Sequence, residues 1–120
     1  MNNLKFIGIA MFVLFAPILI FTGCGPSQPN LIYINVTPNN NPIISQGTTL
    51  QFDAVGNYQD NAQMDITTSV TWSSTNSLVS TISNSPGLQG LATAVSAGTT
   101  TITATDPSTN ITGYALLTVN

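Results

Sequence analysis

Residues 31–120 predict an all-β fold, an antiparallel sandwich of about seven short strands. Two observations carry this. Apolar and hydroxyl side chains alternate with a period of two in one segment after another, and residues that favour turns punctuate those segments. No stretch past residue 30 sustains the longer apolar period of a helix.

In the first segment Ile32, Ile34 and Val36 alternate with Tyr33, Asn35 and Thr37. Pro38-Asn39-Asn40-Asn41-Pro42 then stops the strand, because proline has no backbone donor for a ladder. Leu50, Phe52 and Ala54 alternate with Gln51, Asp53 and Val55, and Val70 and Trp72 with Ser69, Thr71 and Ser73. Val79–Ser83 and Leu91–Val95 are shorter strands. Ile102 and Ala104 alternate with Thr101, Thr103 and Thr105, and Ala115, Leu117 and Val119 with Leu116 and Thr118. Each strand thus has one apolar face and one hydroxyl-rich face, as two packed layers with solvated exteriors require. Trp72, Phe52, Leu50, Ile102 and Val70 are the candidate core, with Trp72, the only tryptophan, as its anchor. Gly47 and Gly98 precede strand starts, where positive φ is expected.

Charge is scarce. Only 4% of the residues are Asp, Glu, Lys or Arg, against an average near ~25%. Lys5 is the single basic side chain, and beyond it stand only Asp53, Asp60, Asp65 and Asp106. Nothing past residue 5 neutralises a phosphate, which argues against nucleic acid as a partner and against electrostatic docking on anionic lipid. The abundance of Val, Ile and Thr argues against disorder.

The first residues read as an export address, with domain boundaries at 1–23 for the signal, 24–30 for a modified cysteine and tether, and 31–120 for the folded part. A short start carrying Lys5 leads into the apolar run Phe6–Phe21 and then Thr22-Gly23-Cys24. The run falls short of the ~20 apolar residues of a membrane span and contains Pro17; a retained span is the alternative. Cys24 is the only cysteine and has no internal disulfide partner. Phe21-Thr22-Gly23-Cys24 resembles the bacterial lipobox, which implies cleavage before Cys24 and its lipidation, and anchoring in the cell envelope. Two or more acyl chains hold a protein stably on a bilayer where one does not. Gly25 after the cysteine implies, by the same resemblance, an outer-membrane destination in a two-membrane cell. An ordinary export signal with an incidental cysteine is the other reading. Gly25-Pro26-Ser27-Gln28-Pro29-Asn30 suits an extended tether.

From Ile34 onward the chain resembles the bacterial immunoglobulin-like domain, group 2, the module of intimin- and invasin-type surface proteins. The residues that carry the likeness are Ile34-Asn35-Val36-Thr37-Pro38, Gln46-Gly47-Thr48-Thr49-Leu50-Gln51-Phe52, the most specific block Asp65–Ser74, Val79–Ser83, Ala97–Thr105 and Leu117-Thr118-Val119. Their order and spacing together make the match. The resemblance implies an immunoglobulin-like sandwich. Ser85-Pro86-Gly87-Leu88-Gln89 stands as an insertion and predicts a longer loop there.

Chemistry is restricted by what is missing. The chain has no His and no Glu, so a Ser-His-Asp set or a histidine-based metal site cannot be built. No catalytic residue and no cofactor is expected. Calcium is the one metal to weigh, with Asp60, Asn61 and Asp65 as hard oxygen donors; the other reading is a solvated loop, with Asp60 and Asp65 as turn residues that bond to nearby backbone. Three function classes remain. The first is a non-enzymatic structural or adhesive surface module on a lipid anchor, with a surface protein or glycan as partner. The second is a carbohydrate- or polymer-binding module with Tyr33, Tyr58 or Tyr114 as an exposed platform, of which Tyr33 is the leading candidate. The third is a subunit of a larger envelope assembly, which would expose a large apolar patch.

Overall fold

The computed structural model describes residues 29–120, so the expectations for the export signal and Cys24 lie outside the described residues. Ten strand segments succeed one another: β1 (Leu31–Thr37), β2 (Ile43–Ile44), β3 (Thr49–Gln51), β4 (Asp53–Tyr58), β5 (Gln63–Asp65), β6 (Thr71–Ser74), β7 (Ser80–Ile82), β8 (Leu91–Ala94), β9 (Gly98–Thr105) and β10 (Thr112–Val119). They make two layers. In the first, β3 and β4 are one run interrupted at Phe52; β1 pairs with β4 on one side, and β5 and the β8–β7 pair complete the layer. Phe52 and Ala54 are two residues apart and so direct their backbone groups to the same edge. There the Phe52 N–H donates to Gly90 and the Ala54 carbonyl accepts from Ile66, so β8 and β5 succeed one another along that edge. The second layer has the order β2-β10-β9-β6, antiparallel except for the short β2–β10 pair. This is an immunoglobulin-like sandwich.

The core between the layers takes alternate residues from both. Ile34 and Val36 come from β1, Phe52 and Ala54 from the β3–β4 run, Trp72 from β6, Ala92 from β8, Ile102 and Ala104 from β9, and Ala115 and Leu117 from β10. Val70 and Ile66 join them from the β5–β6 connection, and Leu50 packs against the cluster half-buried. Each large apolar side chain buried there contributes roughly 1.5–3 kcal/mol. Sizes alternate across one rung: Trp72 pairs with Ala104, and Ala104 with Gly113. A side chain at Gly113 would collide with the Ile34 carbonyl oxygen, so the missing Cβ lets β1 close over β10. A smaller cluster of Val79, Ala94 and Val119, backed by Ile44, fills the far end.

The sequence pattern and the structure part company in β1. Alternation assigns Ile32 to the buried face, yet Ile32 is exposed while Leu31 packs on the core. The pairing with β4 slips between Leu31 and Tyr33, a bulge that makes Ile32 the extra residue and reverses the facing of the residue before it. Val79 is buried but lies outside β7, in the turn that precedes it. The three residues of β5 are all exposed, and their lack of alternation does not mark them as a strand in the sequence. Gly47 and Gly98 have φ of 82° and 149°. The expected longer loop runs from Ser83 to Gly90, with a turn closed by the Leu88 N–H on the Ser85 carbonyl and a second by Leu91 on Leu88. Gly90 has φ of 82° in that second turn, and a Cβ there would strike the Phe52 carbonyl oxygen.

Candidate functional site

The two ends of the sandwich are the first feature with functional bearing. The chain enters the domain at Asn30, whose carbonyl accepts from the Gln59 N–H at 3.0 Å and whose Nδ2 donates to the Gln59 side chain at 3.3 Å. This leading pole also holds the β4–β5 and β9–β10 turns. Residues from all three places, among them Asn30, Tyr58, Asp106 and Thr109, line one cavity of about 340 Å³. The chain leaves at Asn120, whose N–H donates to the Ile44 carbonyl at 3.0 Å and whose carbonyl accepts from Gln46 at 3.1 Å. β10 runs from the one pole to the other, and eight residues of strand put them ~25 Å apart.

The aspartates do turn chemistry. Asp60 sits in the β4–β5 turn, where its Oδ1 accepts from the Ala62 N–H at 3.0 Å beside Asn61, whose φ is 65°. Asp65 stands at the other end of β5. Its Oδ1 accepts from the Thr67 N–H at 2.9 Å, and hydrogen bonds from the Thr67 side chain and backbone hold its carboxyl below the ordinary value. The three calcium candidates are therefore split between the two ends of one hairpin strand. Among the described residues no three His, Cys, Asp or Glu side chains cluster where an ion would sit. Asp106 accepts from Ser108 Oγ and Thr109 Oγ1, both at 2.7 Å, and these bonds lower its pKa as well.

Sequence reasoning did not foresee what Asp65 supports. The Thr67 it holds accepts the Ala54 N–H on its Oγ1 at 2.9 Å, and the Trp72 indole Nε1–H on its carbonyl at 2.9 Å. A buried hydrogen-bonded knot thus orients the central tryptophan, which is 2% exposed. The Asn84 side chain closes the outer edge of β6. Its Oδ1 accepts from the Trp72 backbone N–H at 2.7 Å and its Nδ2 donates to the Trp72 carbonyl at 2.9 Å, the two bonds a neighbouring strand would make.

The three tyrosines stand in different settings. Tyr33 is half exposed on the outer side of β1, on a rung with Asn57 and Gln63, whose side chains bond to each other at 2.7 Å. Tyr58 lies in the cavity of the leading pole. Tyr114 is the most exposed, at 71%, and stands mid-strand on the outer face of β10, paired with Thr103. It borders a groove of about 330 Å³ shared with Thr101, Leu116 and, from the β1–β2 connection, Asn39 and Asn41. The spacing of Tyr114 on β10 signals its outward facing in the sequence; the loop that completes the groove is brought there only by the fold.

Comparison with known proteins agrees with this architecture. A profile of the bacterial Ig-like domain (group 2) matches residues 33–113. Ice-binding protein 1 of Shewanella frigidimarina (strain NCIMB 400) is 45% identical over 78 residues, 65% of this chain, and the chain spans 8% of that relative's length. Domains 4 and 5 of the S-layer protein SbsC superpose with a TM-score of 0.60 at 22% identity, over 77% of this chain and 53% of that one. A longer SbsC fragment, residues 31–844, gives 0.60 at 21% identity, covering 78% of this chain and 13% of that one. The chain belongs to the bacterial Ig-like domain family, group 2.

Proposed function

We propose that this protein is a non-enzymatic display module of the cell envelope, a rigid in-line unit that carries its far pole away from the cell surface. The observation that carries the reading is the placement of Asn30 and Asn120 at opposite poles, each pinned by backbone hydrogen bonds. A module threaded from end to end transmits position along its strands. It suits a tether at one pole and a contact at the other. Membership of the Ig-like family, the multidomain S-layer proteins that share the fold, and a relative many times longer than this chain all support a surface or extracellular setting.

The same reading makes Cys24 the lipid attachment point and residues 25–30 the spacer between bilayer and sandwich. The test is fractionation of expressing cells, with mass spectrometry of the N-terminal peptide. The wild-type chain is expected in the membrane fraction, starting at a diacylated Cys24, and Cys24→Ser is expected to leave that fraction. Wild-type protein recovered unmodified, with the same distribution as Cys24→Ser, refutes the anchor. Surface labelling of intact cells then reports whether the domain faces outward.

A further inference from the structure

We propose that the outer face of β10 and β9, together with the Asn39–Asn41 bend, is a binding site for a neutral polysaccharide chain, with the Tyr114 ring as its stacking platform. This goes beyond the display reading and does not depend on how the chain is anchored.

Three observations converge on it. The first is the ring. An aromatic side chain 71% exposed in the middle of a strand gains nothing from the core, yet the ladder to Thr103 holds its backbone rigidly. A ring so presented offers a flat apolar face with a hydroxyl at its tip, the form that packs on the C–H face of a pyranose. The second is the groove beside it, about 330 Å³, where Leu116 adds an apolar wall and Thr101 a hydroxyl. Asn39 and Asn41 reach the same groove from the loop, and among the described residues no hydrogen bond engages either side-chain amide. A primary amide offers both donor and acceptor, which suits the paired hydroxyls at a sugar edge.

The third observation is charge. The outward positions of this layer are Thr99, Thr101, Thr103 and Thr105 on β9, with Thr71 and Ser73 beside them on β6. No ionisable carboxylate or amine stands among them. Asp53 and Asp65 lie on the opposite layer, and Asp60 and Asp106 in the turns of the leading pole. A phosphate, a nucleic acid or a charged peptide finds nothing on this face to offset its desolvation. A neutral polyhydroxyl surface exchanges its water hydrogen bonds for equivalent ones with Thr, Ser and Asn. Tyr33, by contrast, lines neither groove, and the amides on its rung are bonded to each other.

Retention of the purified full chain on cellulose, chitin and a soluble neutral glucan tests this, with Tyr114→Ala, Tyr114→Phe, Asn41→Gly and Tyr33→Ala alongside. Asn41 has φ of 54°, a conformation glycine adopts freely, so that variant removes the amide without straining the loop. Wild type is expected to bind at least one of the three, with affinity unchanged between ~0.01 and ~1 M salt. Tyr114→Ala should weaken binding about tenfold, while Tyr114→Phe stays within about twofold. Asn41→Gly should weaken it severalfold and Tyr33→Ala should not change it. Failure of all three polymers to bind, retention that fades with salt, or affinity that survives both Tyr114→Ala and Asn41→Gly overturns the site. A melting temperature within a few degrees of wild type confirms that each variant is folded.

Discussion

Replacing Asn84 tests whether one amide stands in for a missing strand at the edge of β6. Two hydrogen bonds are at stake, 2.7 Å to the Trp72 N–H and 2.9 Å from Nδ2 to the Trp72 carbonyl. A net contribution of about 0.5–1.5 kcal/mol each gives about 1–3 kcal/mol, and water reaching the exposed amide places Asn84→Ala in the lower half of that range. For a domain of this size about 1–2 kcal/mol lowers Tm by ~4–16 °C. Asn84→Asp is the sharper probe. It keeps the acceptor for the Trp72 N–H but sets a second carboxylate oxygen against the Trp72 carbonyl. That apposition raises the introduced group's native pKa above its unfolded value. The protonated form restores the donor, so the contribution is present below the unfolded pKa of ~3.9 and is lost as pH rises through the native one. The deficit of Asn84→Asp relative to wild type should therefore be small at pH ~3.5 and largest near pH ~7. Urea unfolding followed by the fluorescence of Trp72, the only tryptophan, measures both variants against wild type at each pH. Variants as stable as wild type at both pH values, or an Asn84→Asp deficit that does not change with pH, would falsify the strand-mimic account.

The same geometry predicts other outcomes. Trp72→Ala is expected to cost about 3–5 kcal/mol and to unfold much of the population. Trp72→Phe keeps most of the ring but strands the buried Thr67 carbonyl, and should cost about 1–3 kcal/mol in calorimetry. Gly113→Ala drives a methyl into the Ile34 carbonyl, and Gly90→Ala combines a collision with Phe52 and a left-handed backbone; each should lose about 1–3 kcal/mol or more in urea titration. Asp65 and Asp106 have lowered native pKa values, so the stability they contribute is present above the ordinary carboxylate range near ~3.9 and is lost as pH falls through the native values. Thermal melts should be nearly flat above pH ~5 and decline below ~4, and the decline should be shallower in Asp65→Asn and Asp106→Asn.

Strands that are long and face the core on one side were readable from the sequence, because burial on one face imposes the period. The even-numbered residues Ile102 and Ala104 of β9, and the odd-numbered Ala115, Leu117 and Val119 of β10, all point inward. The same rule extends to Thr100, 2% exposed, whose hydroxyl bonds to Ser74 at 2.8 Å and accepts the Asn76 N–H at 3.0 Å. Its burial follows from position, but its partners arrive from another strand and leave no local trace. The bulge at Ile32 is hidden for a related reason: it is a property of the β1–β4 pairing, and β1 alone alternates without a break. The strand β5 has no buried residue and hence no pattern. The candidate site divides along the same line. The exposure of Tyr114 follows from alternation on β10, whereas Asn39 and Asn41 become its neighbours only because the β2–β10 pairing lays their loop along that edge.

The near absence of charge shapes how this sandwich protects its borders. Sheet edges invite further strands, and proteins commonly blunt them with lysine or with inward charges. Neither is available in residues 29–120, where the four ionisable acids all serve loops or outer faces. Shortness replaces charge on one side of the first layer, where β5 and β7 have three residues each; the opposite border, β1, is seven residues long and is broken by the bulge at Ile32. At β6, four residues long, the Asn84 amide occupies the edge groups of Trp72. Neutral groups carry many of the polar connections: Ser80 Oγ to the Thr93 carbonyl at 2.9 Å, Gln63 to Asn57 at 2.7 Å on the outer rung of β4 and β5, and the Thr67 carbonyl beneath the indole. Hydroxyls and amides neither titrate in the physiological range nor respond to screening. Ionic strength therefore has little to act on in this domain, and acid reaches it chiefly through the carboxyls of Asp65 and Asp106.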